Sequence, residues 1–168
     1  MFDEKRYFDE SNQDCVFKIN NIPVTLSICE DIWFSGPSEK AKQLGAELIL
    51  NINASPFHTT KQQQRRSMLQ QRAKQTELDI VYVNLLGGQD DLIFDGCSMA
   101  VNRHGNIDFE ASAFSEQTYF IEYHSEQNTF CHSHDEPIIS DDKELIYRAL
   151  CLGVKDYVYK NGFKGVIL

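Results

Sequence analysis

The 168-residue chain carries 25 acidic against 16 basic side chains, and its net charge of -9 disfavours a nucleic-acid or anionic-membrane surface. An apolar fraction of 42% with 24% charged residues excludes wholesale disorder, and no apolar run approaches the roughly 18 to 20 residues that span a bilayer. Five widely spaced cysteines with no Cys-x-x-Cys pair suit reduced thiols in a cytoplasmic protein, and the N-terminus Met1–Arg6 lacks the apolar stretch of a secretory signal.

Residues 14–29 read as two strands joined by a tight Asn20-Asn21 turn, with Pro23 just inside the second. That second strand, Val24-Thr25-Leu26-Ser27-Ile28, has the β-branched and apolar texture of a buried strand and runs into Cys29, Glu30, Asp31 and the single Trp33. Gly36-Pro37-Ser38 breaks the chain and opens a short helix over 38–45, closed by Gly45. Residues 47–53 form another buried-type strand. The longest helical candidate, 58–78, contains no Gly or Pro. Its thin stripe of Met68, Leu69, Ala73 and Leu78 predicts a helix largely solvated on one side, with Arg65, Arg66 and Arg72 on a solvated or interdomain face.

Asp79–Asn84 is a third buried strand, so strands and helices alternate as in an α/β sheet. From Asp95 onward the texture changes to short strands over 97–102, 107–111 and 118–123, which predicts antiparallel pairing with a hairpin loop at Arg103-His104-Gly105-Asn106. Residues 124–141 lack apolar periodicity, contain Pro137 and read as a linker. Ser140 followed by acids starts a helix over 142–160 that stops at Asn161-Gly162. Gly165-Val166-Ile167-Leu168 then opens a strand, as though cut from a longer chain.

Three strand ends collect polar residues: Cys29-Glu30-Asp31, Asn51 to Ser55, and Asn84 through Asp95. Ligands of open α/β sheets bind where strands end and connections diverge. A thiol at a strand tip, followed by a turn, is placed to act as a nucleophile, although most free cysteines are small buried hydrophobes. A free thiol has a pKa of ~8.5, so the reaction needs a base or a neighbouring cation. Glu30 and Asp31 disfavour thiolate unless a cation compensates them, and the spacing sets neither His58 nor Lys61 beside Cys29. Gly87-Gly88 reads as a tight loop needing positive φ. Cys131-His132-Ser133-His134 has zinc-type donors but no second ligand pair, so no metal site is expected.

Ile28-Cys29-Glu30-Asp31-Ile32-Trp33 resembles the nucleophile motif of the nitrilase superfamily. Three further stretches narrow the likeness to the glutamine amidotransferase domain of glutamine-dependent NAD synthetases. Phe2–Phe8 is similar to the segment following the catalytic lysine. Leu50–His58, with Lys61 and Arg65, resembles the glutamine-binding turn and its helix, and Asn84–Gly96 resembles the Gly-Gly-Gln-Asp loop. Leu150–Leu168, with Tyr157, Gly162 and Phe163, is similar to the helix and strand leading into the ATP-pyrophosphatase loop.

The resemblance implies an α/β fold in three parts. Residues 1–124 would be part of a nitrilase-type α-β-β-α sandwich, 125–141 a linker, and 142–168 the beginning of an α/β ATP-pyrophosphatase domain, the NAD synthetase domain. It implies that Cys29 attacks the side-chain amide of L-glutamine, and that the ammonia released serves ATP-dependent amidation of nicotinic acid adenine dinucleotide. Glu30, Ser55 and Lys61 would bind the substrate, and Glu4 would be an orienting glutamate. The family's catalytic glutamate and lysine and its phosphate loop fall outside these 168 residues. The piece alone is therefore expected to be inactive and to hold no cofactor, with ATP and Mg belonging to the full synthetase, a homo-oligomer. The alternatives are a stand-alone carbon-nitrogen hydrolase or amidase, which has no need of the tail beyond 141, and a non-catalytic interaction module. Half a sandwich would leave sheet edges and an apolar face unpaired.

Overall fold

The computed structural model describes residues 6–7, 15–133, 139 and 141–167. β1 (Val16–Ile19) and β2 (Ile22–Ile28) pair antiparallel across the Asn20-Asn21 turn. Both asparagines take the left-handed conformation, with φ of 49° and 68°, that a two-residue hairpin of this twist requires and that asparagine tolerates. Beyond β2 come a 3-10 turn (Cys29–Trp33), α1 (Ser35–Gln43), β3 (Leu48–Asn53), α2 (Lys61–Thr76) and β4 (Asp79–Asn84). Each helical crossover returns the chain to the same end of the sheet, so β2, β3 and β4 are parallel. The chain then forms a hairpin of β5 (Leu86–Gln89) and β6 (Leu92–Asp95), followed by β7 (Met99–Val101) and β8 (Ile107–Glu110). β7 and β8 add antiparallel strands to give a six-stranded sheet of order β1-β2-β3-β4-β7-β8.

The two faces of this sheet follow the two-residue period of its strands. On one face, Ile49, Ile80, Tyr82, Met99 and Val101 pack against Leu69 and Ala73 of α2, Ala41 of α1 and Ile32 of the 3-10 turn. On the other, Val24, Leu48, Ala100 and Phe109 pack under a small hairpin of β9 (Ile121–His124) and β10 (Thr129–His132), which contributes Tyr123 and Phe130. A buried Asp79 anchors that hairpin, accepting from the Tyr123 hydroxyl at 2.7 Å and from Arg103 Nη2 at 2.6 Å. Closer to the ends of the parallel strands, the second face is bare. The cross-strand row Ile28, Ile52 and Val83 is 66%, 58% and 49% exposed, an apolar strip left open to solvent.

Several sequence expectations change. α1 starts at Ser35, because Gly36 and Pro37 fit a first helical turn whose N–H groups have no intrahelical partner. α2 is shorter than 58–78 and ends where Glu77 turns left-handed at φ 52°. Its arginines are not a solvated face: Arg65 is fully buried and Arg72 nearly so. The stretch read as a linker from 125 begins as structure, since β10 lies within it and Phe130 reaches the core. An alternation of only four residues is too short to show as periodicity. Residues 165–167 form no strand, for no described strand lies beside them to complete a ladder.

α3 (Asp142–Lys160), capped by the Asp141 carboxylate accepting from the Lys143 N–H, lies against the β5–β6 hairpin. Gly88 N–H donates to Asp156 Oδ2 at 2.7 Å, and Lys160 Nζ donates to Gly88 O at 2.5 Å. A β-carbon on Gly88 would stand 3.2 Å from Asp156 Cβ and 3.3 Å from Gly153 Cα. Gly88 is thus a contact point for a helix, with the actual turn at Asp90-Asp91.

Candidate functional site

The polar residues that ended three strands in the sequence are brought together by the parallel register. Ser27, Asn51 and Tyr82 are cross-strand partners, and one step further along Asn53 pairs with Asn84 while β2 delivers Cys29. The paired positions share the helix-facing side of the sheet.

Cys29 sits where β2 gives way to the 3-10 turn, and its φ of 49° is left-handed, a conformation that crowds Cβ in any residue but glycine. A strained strand-to-helix turn of this kind lifts the side chain clear of the sheet end and is how a nucleophile is presented. The turn is pinned on both sides. Ile28 N–H donates to Asp31 Oδ2 at 3.1 Å, and Arg72 of α2 donates through Nε to Ile32 O at 3.1 Å and through Nη2 to Trp33 O at 3.0 Å. Asp31 therefore spends its carboxylate on the strand end, while Glu30 is exposed.

Ser55 lies on the turn after β3 and is 7% exposed. Its N–H donates to Asn84 Oδ1 at 2.9 Å, and Asn84 Nδ2 donates to Gly96 O at 2.9 Å, tying this turn to β4 and to the end of β6. From α2, Arg65 donates Nε to Ser55 Oγ at 3.2 Å and Nη2 to Ser55 O at 3.0 Å and Pro56 O at 3.2 Å. Its fork also grips Asp95 at 2.9 and 2.8 Å. Burial works against the Arg65 charge, but the hydrogen-bonded Asp95 carboxylate outweighs it and the guanidinium holds its proton more tightly than usual. Burial pushes the neighbouring Tyr82 phenol up to about 12, against the pull of Arg65. Asn53 Nδ2 bonds to Asn51 Oδ1, and Asn51 Nδ2 donates to Ser27 Oγ at 2.8 Å. Asn53 Oδ1 and the Tyr82 hydroxyl are buried without a partner among the described residues.

Of the remaining sequence candidates, Lys61 places its ammonium 4.1 Å from the centre of the Trp33 ring, a cation–π contact at the far end of the Cys29 turn. His58 is exposed, and among the described residues its ring bonds only with Thr60. No side chain among the described residues hydrogen-bonds to Cys29 Sγ, and Glu4 lies outside the described residues. Cys131 and His132 are exposed on β10, the His132 ring packing edge-on against Phe109, and no group of three potential metal ligands occurs among the described residues. The sequence assigns no individual role to Arg65, Arg72, Asn84 or Asp95, although Asn84 and Asp95 bound one of its polar strand ends. Helical phase carried the signal for two of them, since Arg65 lies four residues before Leu69 and Arg72 three after it, on the buried stripe. Together the parts supply a half-buried thiol on a pinned turn and a second polar turn tied to the neighbouring strand end, an arrangement that suits nucleophilic attack at a carbonyl carbon.

The comparisons agree with this geometry. The chain is 42% identical over 99% of its length to a glutamine-dependent NAD(+) synthetase of Xylella fastidiosa, and 40% identical over its whole length to that of Acinetobacter baylyi. It spans 31% of the length of each of these curated relatives. Among solved structures, the glutamine-dependent NAD+ synthetase of Acinetobacter baumannii, in complex with ADP, superimposes with a TM-score of 0.91 at 39% identity, covering 98% of this chain and 31% of that one. An amidase of the nitrilase superfamily from Nesterenkonia matches with a TM-score of 0.57 at 27% identity, over 64% of this chain and 40% of its own. In another structure of that amidase, the acetamide moiety of fluoroacetamide is bonded to the active-site cysteine. The carbon-nitrogen hydrolase family model matches residues 1–127, and the chain belongs to that family.

Proposed function

We propose that this chain is the nucleophile-bearing part of the glutaminase of a glutamine-dependent NAD(+) synthetase. The observation that carries the reading is the unbroken match to such synthetases through α3. The amidase of the same superfamily covers only 64% of the chain, and the family model stops at residue 127. This favours the synthetase over a stand-alone amidase, and the strained, pinned turn at Cys29 favours an enzyme over an interaction module.

In this reading, Cys29 thiolate attacks the side-chain carbonyl carbon of L-glutamine. The carbon–nitrogen bond breaks, the nitrogen leaves as ammonia once protonated, and water hydrolyses the Cys29 thioester to glutamate. Ser55 and Lys61 hold the polar ends of the substrate, Glu30 flanks it, and Glu4 orients the catalytic lysine. The lysine and the glutamate of the triad come from segments outside this sequence. The ammonia amidates nicotinic acid adenine dinucleotide after activation by ATP, with Mg serving that synthetase half. The whole enzyme is a cytoplasmic homo-oligomer, with residues 142–168 leading into its synthetase domain.

The test joins the chain to the segments that flank its counterpart in the relatives and measures NAD formation with glutamine or with ammonium salt. Cys29→Ala is expected to abolish the glutamine-driven rate and spare the ammonium-driven one. Equal loss with both nitrogen sources would refute the role given to Cys29.

A further inference from the structure

α3 begins beyond residue 127, where the family match ends, yet its packing reaches the turn after β3. The link is Ile93 of β6, the cross-strand partner of Gly88. Its side chain stands against Gly153 of α3, where an added β-carbon would lie 3.0 Å from Ile93 Cδ1 and 3.3 Å from Cγ1. Its carbonyl accepts from the Phe57 N–H at 2.7 Å, two residues past Ser55. Glycine inside a helix costs stability relative to alanine, and what Gly153 permits is this close approach.

We infer that Gly153 and Ile93 are positioning residues of the glutaminase: they set the distance between α3 and β6, and β6 holds the substrate-side turn after β3. The inference rests on the glutaminase reading above.

Residues 54–60 belong to no ladder, so this turn keeps its shape through the groups that neighbouring segments offer it. Three of these come from residues 84–96. Asn84 Oδ1 accepts from the Ser55 N–H at 2.9 Å, Ile93 O accepts from the Phe57 N–H, and Asp95 aligns the Arg65 fork that serves Ser55 O and Pro56 O. Two of the three lie on β6. β5 and β6 pair only with each other, in a sheet separate from the six-stranded one, and a lone hairpin is marginal without something to pack on. α3 is that support, through Gly153 against Ile93 and through Asp156 and Lys160 on Gly88. Leu145 adds a second contact, packing in one buried cluster with Phe57 and Phe114. Pushing α3 away from β6 therefore moves Ile93 O and the Phe57 N–H with it. The Cys29 turn takes its hold from Arg72 of α2 instead, so the effect falls on glutamine binding and not on the nucleophile.

A steric complementation in the whole enzyme tests this, with the ammonium-driven rate as the control for folding. Gly153→Ala is expected to raise KM for glutamine by about fivefold, with kcat and the ammonium-driven rate changed less than about twofold. Alanine favours the helix, so an effect through helix stability alone would run the other way. Ile93→Val removes Cδ1, the atom nearest the added methyl group, and the double variant should return KM to within about twofold of the unsubstituted enzyme. An unchanged KM in Gly153→Ala, a double variant no better than the single one, or an ammonium-driven rate that falls in parallel would overturn the inference. Should Gly153→Ala fail to fold, Asp156 decides. Asp156→Ala removes the acceptor of the Gly88 N–H and is expected to raise KM by a similar factor, whereas Asp156→Asn keeps an oxygen there and should leave KM unchanged. Equal effects of these two variants would also overturn it. An enzyme that uses ammonium but never glutamine, even unsubstituted, would instead refute the glutaminase reading itself.

Discussion

At the scale of single residues, the informative ones are those held in costly states. Cys29 keeps a left-handed backbone although it has a β-carbon. That cost is testable without any assay of activity. Cys29→Gly is expected to be more stable than Cys29→Ala by about 0.5–1 kcal/mol in chemical denaturation, since only glycine relaxes at this φ. The opposite order would mean the turn is unstrained. Tyr82 is the second such residue. Burial raises its phenol from 10.0 to about 12, so the folded state binds that proton more tightly than the unfolded chain does. Its contribution to stability is complete below pH 10 and is lost as pH rises towards 12. Tyr82→Phe should flatten that part of a stability–pH profile. The slope that remains would come from the Cys97 thiol, pushed up by burial, and from Tyr123, whose phenol is raised by burial and by its hydrogen bond to Asp79. The Cys29 motif was readable because a thiol followed by two acids and a tryptophan is a rare string. Arg65 was not, because an arginine in a polar helix normally meets water; only the Asp95 carboxylate, 30 residues away, makes its burial affordable.

Among the elements, α2 and α3 have roles their patterns barely hint at. α2 shows a thin apolar stripe because two of its inward positions are arginines, and each holds one of the two site-bearing turns. The helix thereby sets the spacing between the Cys29 turn and the Ser55 turn. α3 was legible as a helix with correct ends, since caps and breakers are local signals. Where it packs was not legible. Gly88 explains its docking: Gly88→Ala would press a methyl group against Asp156 and Gly153 and is expected to cost about 1–3 kcal/mol. Hydrogen exchange should then quicken selectively in α3 and in the β5–β6 hairpin. Uniform quickening, or none, would show that this contact does not hold the helix in place.

The molecule as a whole presents two surfaces of opposite character. Its net charge of -9 keeps it soluble in principle, yet the row Ile28, Ile52 and Val83 lies bare on the sheet. Apolar cross-strand neighbours of this kind form an adhesive patch. The 168 residues alone are expected to self-associate in sedimentation experiments, and Ile52→Lys to shift them towards monomer. Monomeric behaviour of the unsubstituted chain would contradict this.

The sequence by itself determined the parallel strands β2, β3 and β4, the long helices and the α/β class, since these are local: periodicity, caps and turn asparagines. Tertiary structure alone decided what is built from residues far apart in the chain. The parallel register sets Ser27, Asn51 and Asn53 in one polar layer with Tyr82 and Asn84. The Arg65–Asp95 pair turns a helix thought to be solvated into the support of the site. β10 was lost in a polar stretch because four residues, two of them exposed, carry too little pattern of their own even beside a partner strand just upstream.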